Sequence, residues 1–267
     1  MDAINSGNGS DVVVVSAVVG TSSDSSRVTV AGNNNDTGQD TITGFSLTSD
    51  TLKVVATNVS SFVHGTDTGI GTAGTGGNSN TGNLASFTTG TGLVELNQTT
   101  NDDWDDLGDI AVTFNTPSGT FNEANFEARL RYDLTGTGGA DTITTGDGND
   151  RIQGGGGADV LNGGIGSDVF AYAALADSTV ASFDSISGFV HGTDQIDFTT
   201  IGGIDSFQGQ IVGGNVAANS IGWVESGGNT LIYVNATSAS EAVGSAQMQI
   251  TLTGVGLGLT ATDFNFI

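Results

Sequence analysis

Between residues 136 and 171 the chain repeats one pattern four times with a period of nine residues. Set in consecutive nines from Gly136, the segments are GTGGADTIT, TGDGNDRIQ, GGGGADVLN and GGIGSDVFA. Position six is always aspartate and position eight is always large and apolar: Asp141, Asp150, Asp159 and Asp168, then Ile143, Ile152, Leu161 and Phe170. A flexible glycine-rich linker would not keep these residue types in register, so the period predicts a folded array of short, similar units.

The spacing also predicts how these units stack. Positions seven to nine form a very short strand whose middle side chain points inward, because side chains alternate along a strand. The other six residues turn the chain around, so two nines complete one coil and each repeat lies over the next but one. Asp141 is therefore expected over Asp159, and Asp150 over Asp168.

Carboxylates stacked in this way repel each other unless a cation lies between them. Glycine lets the backbone of a turn adopt positive φ, which aims carbonyl oxygens at the same point. Carboxylate and carbonyl oxygens together form the hard, all-oxygen cage that Ca²⁺ accepts with six or more ligands, whereas Mg²⁺ sheds its water reluctantly and fits such a cage poorly. The array therefore predicts bound calcium.

The charge of the chain agrees with a cation as its partner. It has 29 acidic and 5 basic residues, a formal net charge of −24. Nucleic acid and anionic lipid need lysine and arginine for binding, so neither is expected as a partner. Cysteine is absent, which excludes disulfides and thiolate metal sites. No signal peptide follows Met1 and no apolar run could span a bilayer, so we expect no membrane insertion, and a secreted protein would need another export route.

The rest of the chain predicts an all-β fold. Short runs of Val, Ile, Phe and Thr alternate with turn residues, as in RVTVAG at 27–32 and TLIYVN at 230–235. We expect a parallel β-roll at the nonapeptide array that continues into β-sandwich-like sheets.

Four segments recur in the same order, which predicts a tandem duplication. The matched segments are GSDVVVV (9–15) with GSDVFAY (166–172), DTITGF (40–45) with DSISGF (184–189), GDIAVTFN (108–115) with GNTLIYVN (228–235), and EARLRYDLTG (127–136) with AQMQITLTG (246–254). The predicted copies are 1–135, which begins with a degenerate repeat, and 136–267, which contains the roll (136–171) and a C-terminal β domain. A tail at about 255–267 has no matching segment in the first copy, and the chain starts in the middle of a repeat, which suggests further repeats upstream.

The array from 136 to 171 resembles the RTX repeats of proteins exported by type I secretion. The segment DSTVASFDSISGFVHGTDQIDF at 177–198 is similar to the segment that follows the β-roll in serralysin-type proteases and related secretion domains. The closing LTGVGLGLTATDFNFI resembles the uncleaved export signal at the end of those domains. The resemblance implies that about 255–267 carries a secretion signal and that the type I exporter is a partner.

The same resemblance implies a set of Ca²⁺ ligands. It contains the position-six aspartates and carbonyl groups in the turns: Asp141, Asp150, Asp159, Asp168, Gly146, Gly148, Gly155, Gly157, Gly164 and Gly166. Acidic residues just past the roll serve in relatives, which points to Asp177 and Asp184, although both could equally be ordinary turn residues. Asp11 is a further candidate, because SGNGSDVVV at 6–14 is the one complete nonapeptide of the first copy. A ligand and a residue without such a role are equally open readings of Asp11. Repeats one and two lack the first Gly-Gly pair, so weaker outer sites are expected.

Two other sequence features contain residue types typical of metal or catalytic sites. Both histidines lie in identical FVHGTD strings at 62–67 and 189–194, but no nucleophile accompanies them, so they are interpreted as turn residues. The acidic segment NDDWDDLGD at 101–109 is interpreted as a solvated loop rather than a cation site. The zinc motif H-E-x-x-H is absent and no catalytic constellation stands out, so we expect no enzymatic activity.

Two functional hypotheses follow. In the first, the chain is the calcium-binding C-terminal part of a secreted bacterial surface protein that folds outside the cell, with a surface-layer, self-association or polysaccharide-anchoring role. In the second, the same module is the C-terminal secretion and folding domain of an RTX protease or lipase whose catalytic domain lies upstream. Both place the protein outside the cell or on its surface.

Overall fold

The structure is a computed structural model that describes residues 130–266 without a gap. Before them it describes the segments 3–5, 12–18, 27–30, 40–43, 51–57, 59, 61–63, 85–88, 93–96 and 110–115. All regular structure in these ranges is β-strand, apart from three single turns of 3₁₀ helix. The predicted all-β class is confirmed.

The chain divides into two compact units. The first contains 1–58, 62–134 and the short segment 145–148, and the second contains 59–61, 135–144 and 149–267. The predicted roll therefore lies in the second unit, except for one of its turns.

The first unit is built from a five-stranded sheet and a second group of strands. The strands of residues 1–135 are β1 Ala3–Asn5, β2 Val12–Val18, β3 Arg27–Val30, β4 Asp40–Thr43, β5 Thr51–Thr57, β6 Ser61–Val63, β7 Ala85–Thr88, β8 Leu93–Leu96, β9 Ile110–Asn115 and β10 Leu130–Thr135. The five-stranded sheet has the order β1-β4-β9-β8-β7, with parallel pairs at β1-β4 and β4-β9 and antiparallel pairs at β9-β8 and β8-β7. In the second group β2 pairs with β5 in parallel and with β3 in antiparallel orientation, and β10 lies beside β5.

In the second unit successive short strands alternate between two sheets. The strands are β11 Thr142–Thr144, β12 Arg151–Gln153, β13 Val160–Asn162, β14 Val169–Ala171, β15 Asp184–Ser187, β16 Gln195–Asp197, β17 Ser206–Gln210, β18 Asn215–Val216, β19 Ser220–Ser226, β20 Asn229–Asn235, β21 Glu241–Ala242, β22 Met248–Thr253 and β23 Phe264–Asn265. One sheet has the order β11-β13-β15-β22-β20-β19-β17, the other has the order β12-β14-β16-β23, and β18 pairs with β21. The 3₁₀ turns are Leu175–Asp177, Val243–Ser245 and Ala261–Asp263.

The nonapeptide array forms the coil that its period predicts. Strand β11 pairs in parallel with β13, Ile143 opposite Leu161, and β12 pairs in parallel with β14, Ile152 opposite Phe170. Each repeat therefore lies beside the next but one. The middle residue of each three-residue strand is buried, and burying such a side chain contributes about 1.5–3 kcal/mol. Position eight thus builds the core of the roll.

The roll continues beyond the fourth repeat although the period of nine ends there. Strand β15 pairs in parallel with β13, and β16 pairs in parallel with β14. Their middle residues, Ile186 and Ile196, are fully buried like those of the repeats. In the sheet that contains β15, the pairing then changes from parallel to antiparallel. Strand β22 pairs in parallel with β15 but in antiparallel orientation with β20.

The last strand is part of this fold. β23 pairs in parallel with β16, with Phe264 opposite Ile196. The ring of Phe264 lies 6.4 Å from that of Phe198 and 5.2 Å from that of Phe207. Asp263 is fully buried and accepts hydrogen bonds from the Gly192 and Thr260 N–H groups, and its carboxylate lies 2.9 Å from His191 Nδ1. The tail predicted as a separate segment therefore completes the sheet.

The two units pair their strands in the same order. The parallel pairs β1-β4, β4-β9 and β2-β5 of the first unit correspond to β13-β15, β15-β22 and β14-β16 of the second. The antiparallel pairs β8-β9 and β7-β8 correspond to β20-β22 and β19-β20. We propose on this basis that the units are copies, as the sequence suggests.

The proposed correspondence differs from the predicted alignment in two places. It matches β9, within 108–115, with β22 rather than with β20 at 228–235. It also matches β10, within 127–136, with β23 in the tail rather than with β22 at 246–254, because β23 lies beside β16 as β10 lies beside β5. Alternating strands of similar composition resemble each other, and this allowed the matches to shift by one strand.

Removing a position-eight side chain tests this core. Leu161→Ala is expected to lower the free energy of unfolding by about 2–5 kcal/mol, since it opens a cavity between packed rungs. The matched control is Val160→Ala in the same strand, where the side chain is 51% exposed and the expected loss is below about 1 kcal/mol. Urea unfolding in saturating calcium measures both, and equal losses would contradict the assigned faces of β13.

Candidate metal centre

The aspartates of the roll are joined into a ladder by their own backbone. Asp141 donates its N–H to Oδ1 of Asp159 at 2.8 Å, and Asp159 donates its N–H to Oδ1 of Asp184 at 2.9 Å. We call Asp141, Asp159 and Asp184 the first ladder. The predicted stacking of Asp141 and Asp159 is confirmed.

A second ladder has the same construction. Asp150 donates its N–H to Oδ1 of Asp168 at 3.0 Å, and Asp168 donates its N–H to Oδ1 of Asp194 at 3.0 Å. Asp150, Asp168 and Asp194 are the second ladder. These bonds hold each carboxylate at a fixed height in the coil, so the side chains cannot move apart to relieve their repulsion.

Both ladders end in local hydrogen bonds. In the first, the residue opposite Asp184 on the next strand is Ile250, which cannot continue the pattern. Asp184 instead donates its N–H to Oγ of Ser178, and that hydroxyl donates to the Gln249 carbonyl. In the second, Asp194 accepts the N–H of Val190 at Oδ2.

The second oxygen of three ladder carboxylates has no protein donor. Oδ2 of Asp159, Asp168 and Asp184 is buried and accepts no hydrogen bond. The Tyr172 hydroxyl lies close enough to Asp184 to lower its pKa, but the two groups do not complete a hydrogen bond of good geometry. A buried charged oxygen without a partner is costly, and a cation at this position would remove the cost.

Without a cation these carboxyl groups hold protons more tightly than usual. Burial raises the pKa of Asp159 and of Asp168 to about 6, although the ladder hydrogen bonds lower both values. Repulsion from Asp141 adds to the increase at Asp159, and repulsion from Asp194 adds to it at Asp168. Burial raises the pKa of Asp184 to about 7, with added repulsion from Asp159 and Asp177.

The turns between the strands have the backbone that the glycines predict. φ is positive at all six predicted glycines: Gly146 (105°), Gly148 (121°), Gly155 (95°), Gly157 (123°), Gly164 (86°) and Gly166 (153°). A residue with a side chain rarely adopts these angles, so positive φ explains positions two and four. Position one has a different reason for glycine, because a Cβ on Gly154 would overlap Oδ2 of Asp159 and one on Gly163 would overlap Oδ2 of Asp168.

The available ligands are oxygen atoms from carboxylates and turn carbonyls. No three His, Cys, Asp or Glu side chains converge on one point among the residues that the structure describes. Carboxylate oxygens together with turn carbonyl oxygens are the ligand set that Ca²⁺ prefers over Mg²⁺ or a transition metal. The donor-free Oδ2 atoms fit such an ion.

The predicted site residues outside the four repeats have different positions. Asp184 belongs to the first ladder. Asp177 lies near enough to Asp159 and Asp184 to raise their pKa, and its Oδ2 accepts the N–H groups of Ala173 and Ala174. Asp11, the first FVHGTD histidine and the acidic segment 101–109 lie outside the described residues. The ligand roles of all the predicted residues stay predictions.

Asp194 is a ladder member that the sequence interpretation missed. It belongs to the second FVHGTD string, whose residues were all assigned to a turn. The signal was present, since Asp194-Gln195-Ile196 repeats the D-x-U order of positions six to eight. It lies 26 residues after Asp168 rather than 18, so a search for the nine-residue period does not find it.

Comparison with known proteins agrees with this geometry. Residues 135–170 match the family model described as RTX calcium-binding nonapeptide repeat (4 copies). This segment is an array of RTX repeats. RTX repeats bind calcium ions, so calcium is the cofactor of this part of the chain. No curated protein sequence is significantly similar to the chain.

Two solved structures are similar over about half of the chain. The AlgE6R3 subunit of the mannuronan C5-epimerase from Azotobacter vinelandii is 26% identical, with 51% of this chain and 78% of that chain covered and a TM-score of 0.33. The AlgE6R2 subunit of the same enzyme is 25% identical, with coverage of 51% and 80% and a TM-score of 0.35. At these TM-scores neither similarity bears on the overall arrangement of this chain.

The raised pKa values predict an inverted pH dependence in the absence of calcium. A carboxyl group whose folded pKa is raised contributes stability that is complete below its unfolded pKa, near 3.8, and lost as pH rises through the folded pKa of about 6 to 7. In a chelator the chain is therefore expected to keep more β-structure at pH 5 than at pH 8, as measured by circular dichroism. In saturating calcium the order should reverse, because protons then compete with the ion. The same order in both conditions would contradict the assignment of these carboxylates.

Proposed function

We propose that the chain is the calcium-dependent C-terminal module of a bacterial protein exported by a type I system, which folds after export and serves in surface assembly or attachment. The observation that carries the proposal is the pair of aspartate ladders with donor-free Oδ2 atoms on three buried carboxylates. Such a structure is stable only where a divalent cation is abundant.

The calcium concentration on the two sides of the membrane supplies the switch. Calcium modules of extracellular proteins have dissociation constants of roughly 0.1–1 mM, far above free calcium in the cytoplasm. Inside the cell the ladders stay empty and the mutual repulsion of their carboxylates, within a chain of formal net charge −24, opposes folding. Outside, each site adds about 1.4 kcal/mol for every tenfold excess of calcium over its dissociation constant.

Export in an unfolded state agrees with two further observations. The chain has no cysteine, so no disulfide can form before export. The proposed signal at about 255–267 contains Asp263 and Phe264, both of which are buried once β23 lies on β16. An exporter that reads this segment must therefore read it before the second unit folds.

The surface role is supported by composition and by the proposed duplication. The chain has 43 glycines and only 5 basic residues, and copies of one β-unit in tandem are a common way to build extended structural proteins. The proposal includes self-association or binding of a cell-surface polysaccharide, and no catalytic activity of the chain itself. Among the described residues no helix is long and apolar enough to cross a membrane.

Calcium removal tests the switch. Far-ultraviolet circular dichroism of the chain in EDTA is expected to show loss of β-structure, and millimolar Ca²⁺ should restore it with a steep, cooperative titration. Equal millimolar Mg²⁺ is the matched control and should restore much less, because Mg²⁺ sheds its water reluctantly and fits a cage of carboxylate and carbonyl oxygens poorly. A spectrum that does not change in EDTA would contradict a calcium-dependent fold.

The surface role has a separate test. Light scattering and electron microscopy of the chain in millimolar Ca²⁺ are expected to show oligomers or sheets that dissolve in EDTA. A strictly monomeric response with an intact folding switch would reject the surface-layer role and favour the secretion and folding domain of an RTX enzyme.

A further inference from the structure

The turn of the first repeat, residues 136–141, differs from the turns of the other three. Its position two is Thr137, whereas the other repeats have glycine there with positive φ. In the three later repeats the residues at positions two and four all have positive φ. Thr137 and Gly139, at positions two and four of the first repeat, do not. The first turn therefore does not aim its carbonyls as the later turns do.

Thr137 also offers two hydrogen-bond donors to the carboxylate of Asp141. Its N–H donates to Oδ2 of Asp141 at 2.6 Å, and its hydroxyl lies 2.9 Å from Oδ1 and 3.1 Å from Oδ2. The same hydroxyl oxygen accepts the N–H of Gly139 at 3.1 Å. Asp141 thus differs from Asp159, whose Oδ2 is buried without a donor.

The first turn packs directly against the turn of the third repeat. Gly156 donates its N–H to the Thr137 carbonyl at 3.1 Å, so that oxygen is already engaged. A Cβ on Gly157 would lie 2.6 Å from the carbonyl carbon of Gly139, which shows how closely the two backbones approach. The first and third turns are therefore held together by direct backbone contact.

We propose that Thr137 substitutes for a calcium ion at Asp141, so that the first turn closes the roll without metal and calcium binding in the first ladder begins at Asp159. The inference rests on the proposed calcium site at Asp159 and Asp184. It makes Thr137 a positioning residue that sets the number of ions. It also explains in structural terms the weaker outer site that the missing Gly-Gly pair predicts.

The test counts calcium ions per chain by equilibrium dialysis and elemental analysis of the purified full chain. Asp141→Asn is expected to keep the wild-type number of ions, whereas Asp159→Asn should lose at least one. Thr137→Gly frees the Asp141 carboxylate and permits positive φ, so it should bind one ion more than wild type. Thr137→Ser keeps the hydroxyl and is the matched control, with the wild-type number expected.

Loss of an ion in Asp141→Asn would overturn the proposal, and so would a Thr137→Gly variant that binds no more calcium than Thr137→Ser. Circular dichroism in millimolar calcium checks that each variant is folded. If Asp141→Asn does not fold, the comparison of the two Thr137 variants decides. Failure of the proposed function is distinct, because the wild-type chain would then bind no calcium at all.

Discussion

The fold of the second unit depends on one interaction, the hydrogen bond from the backbone N–H of one aspartate to the carboxylate of the aspartate in the next rung. This bond fixes the spacing of the rungs and at the same time brings like charges into a buried stack. Hydrophobic contacts between the middle residues of the strands favour the same stack, but they do not remove the repulsion. The proposed divalent cation would remove it, and so the stacked structure and the proposed calcium dependence have one origin.

Much of this arrangement could be predicted from the sequence, because every rung of the repeats is specified locally. Nine residues contain the turn glycines, the aspartate and the inward side chain, so the coil, the stacking of Asp141 on Asp159 and the positive φ at Gly155 follow from spacing alone. The absence of cysteine then excludes thiolate ligands, and the charge imbalance favours a cation as the partner.

What escaped prediction depends on contacts between distant segments. Asp194 enters the second ladder only because an irregular loop returns the chain to the sheet edge, and no fixed period marks it. Strand β23 pairs with β16, which lies about 70 residues earlier in the chain. The sequence of the tail alone therefore suggests a separate segment rather than a strand of this sheet. The hydrogen bonds from Thr137 to Asp141 are an exception, because they are local. They were not predicted because a threonine in place of a glycine suggests only a poorer turn.

The unequal lengths of chain between stacked rungs have a practical consequence. Asp159 and Asp184 stack as closely as Asp141 and Asp159, although 25 residues separate the first pair and 18 the second. The extra residues include the exposed segment Ala181, Ser182 and Phe183. Because hydrogen bonds hold Asp159 and Asp184 whatever the length of chain between them, this loop is a suitable place to insert a foreign peptide. If folding depends on calcium as proposed, calcium would then control whether the folded protein displays the peptide.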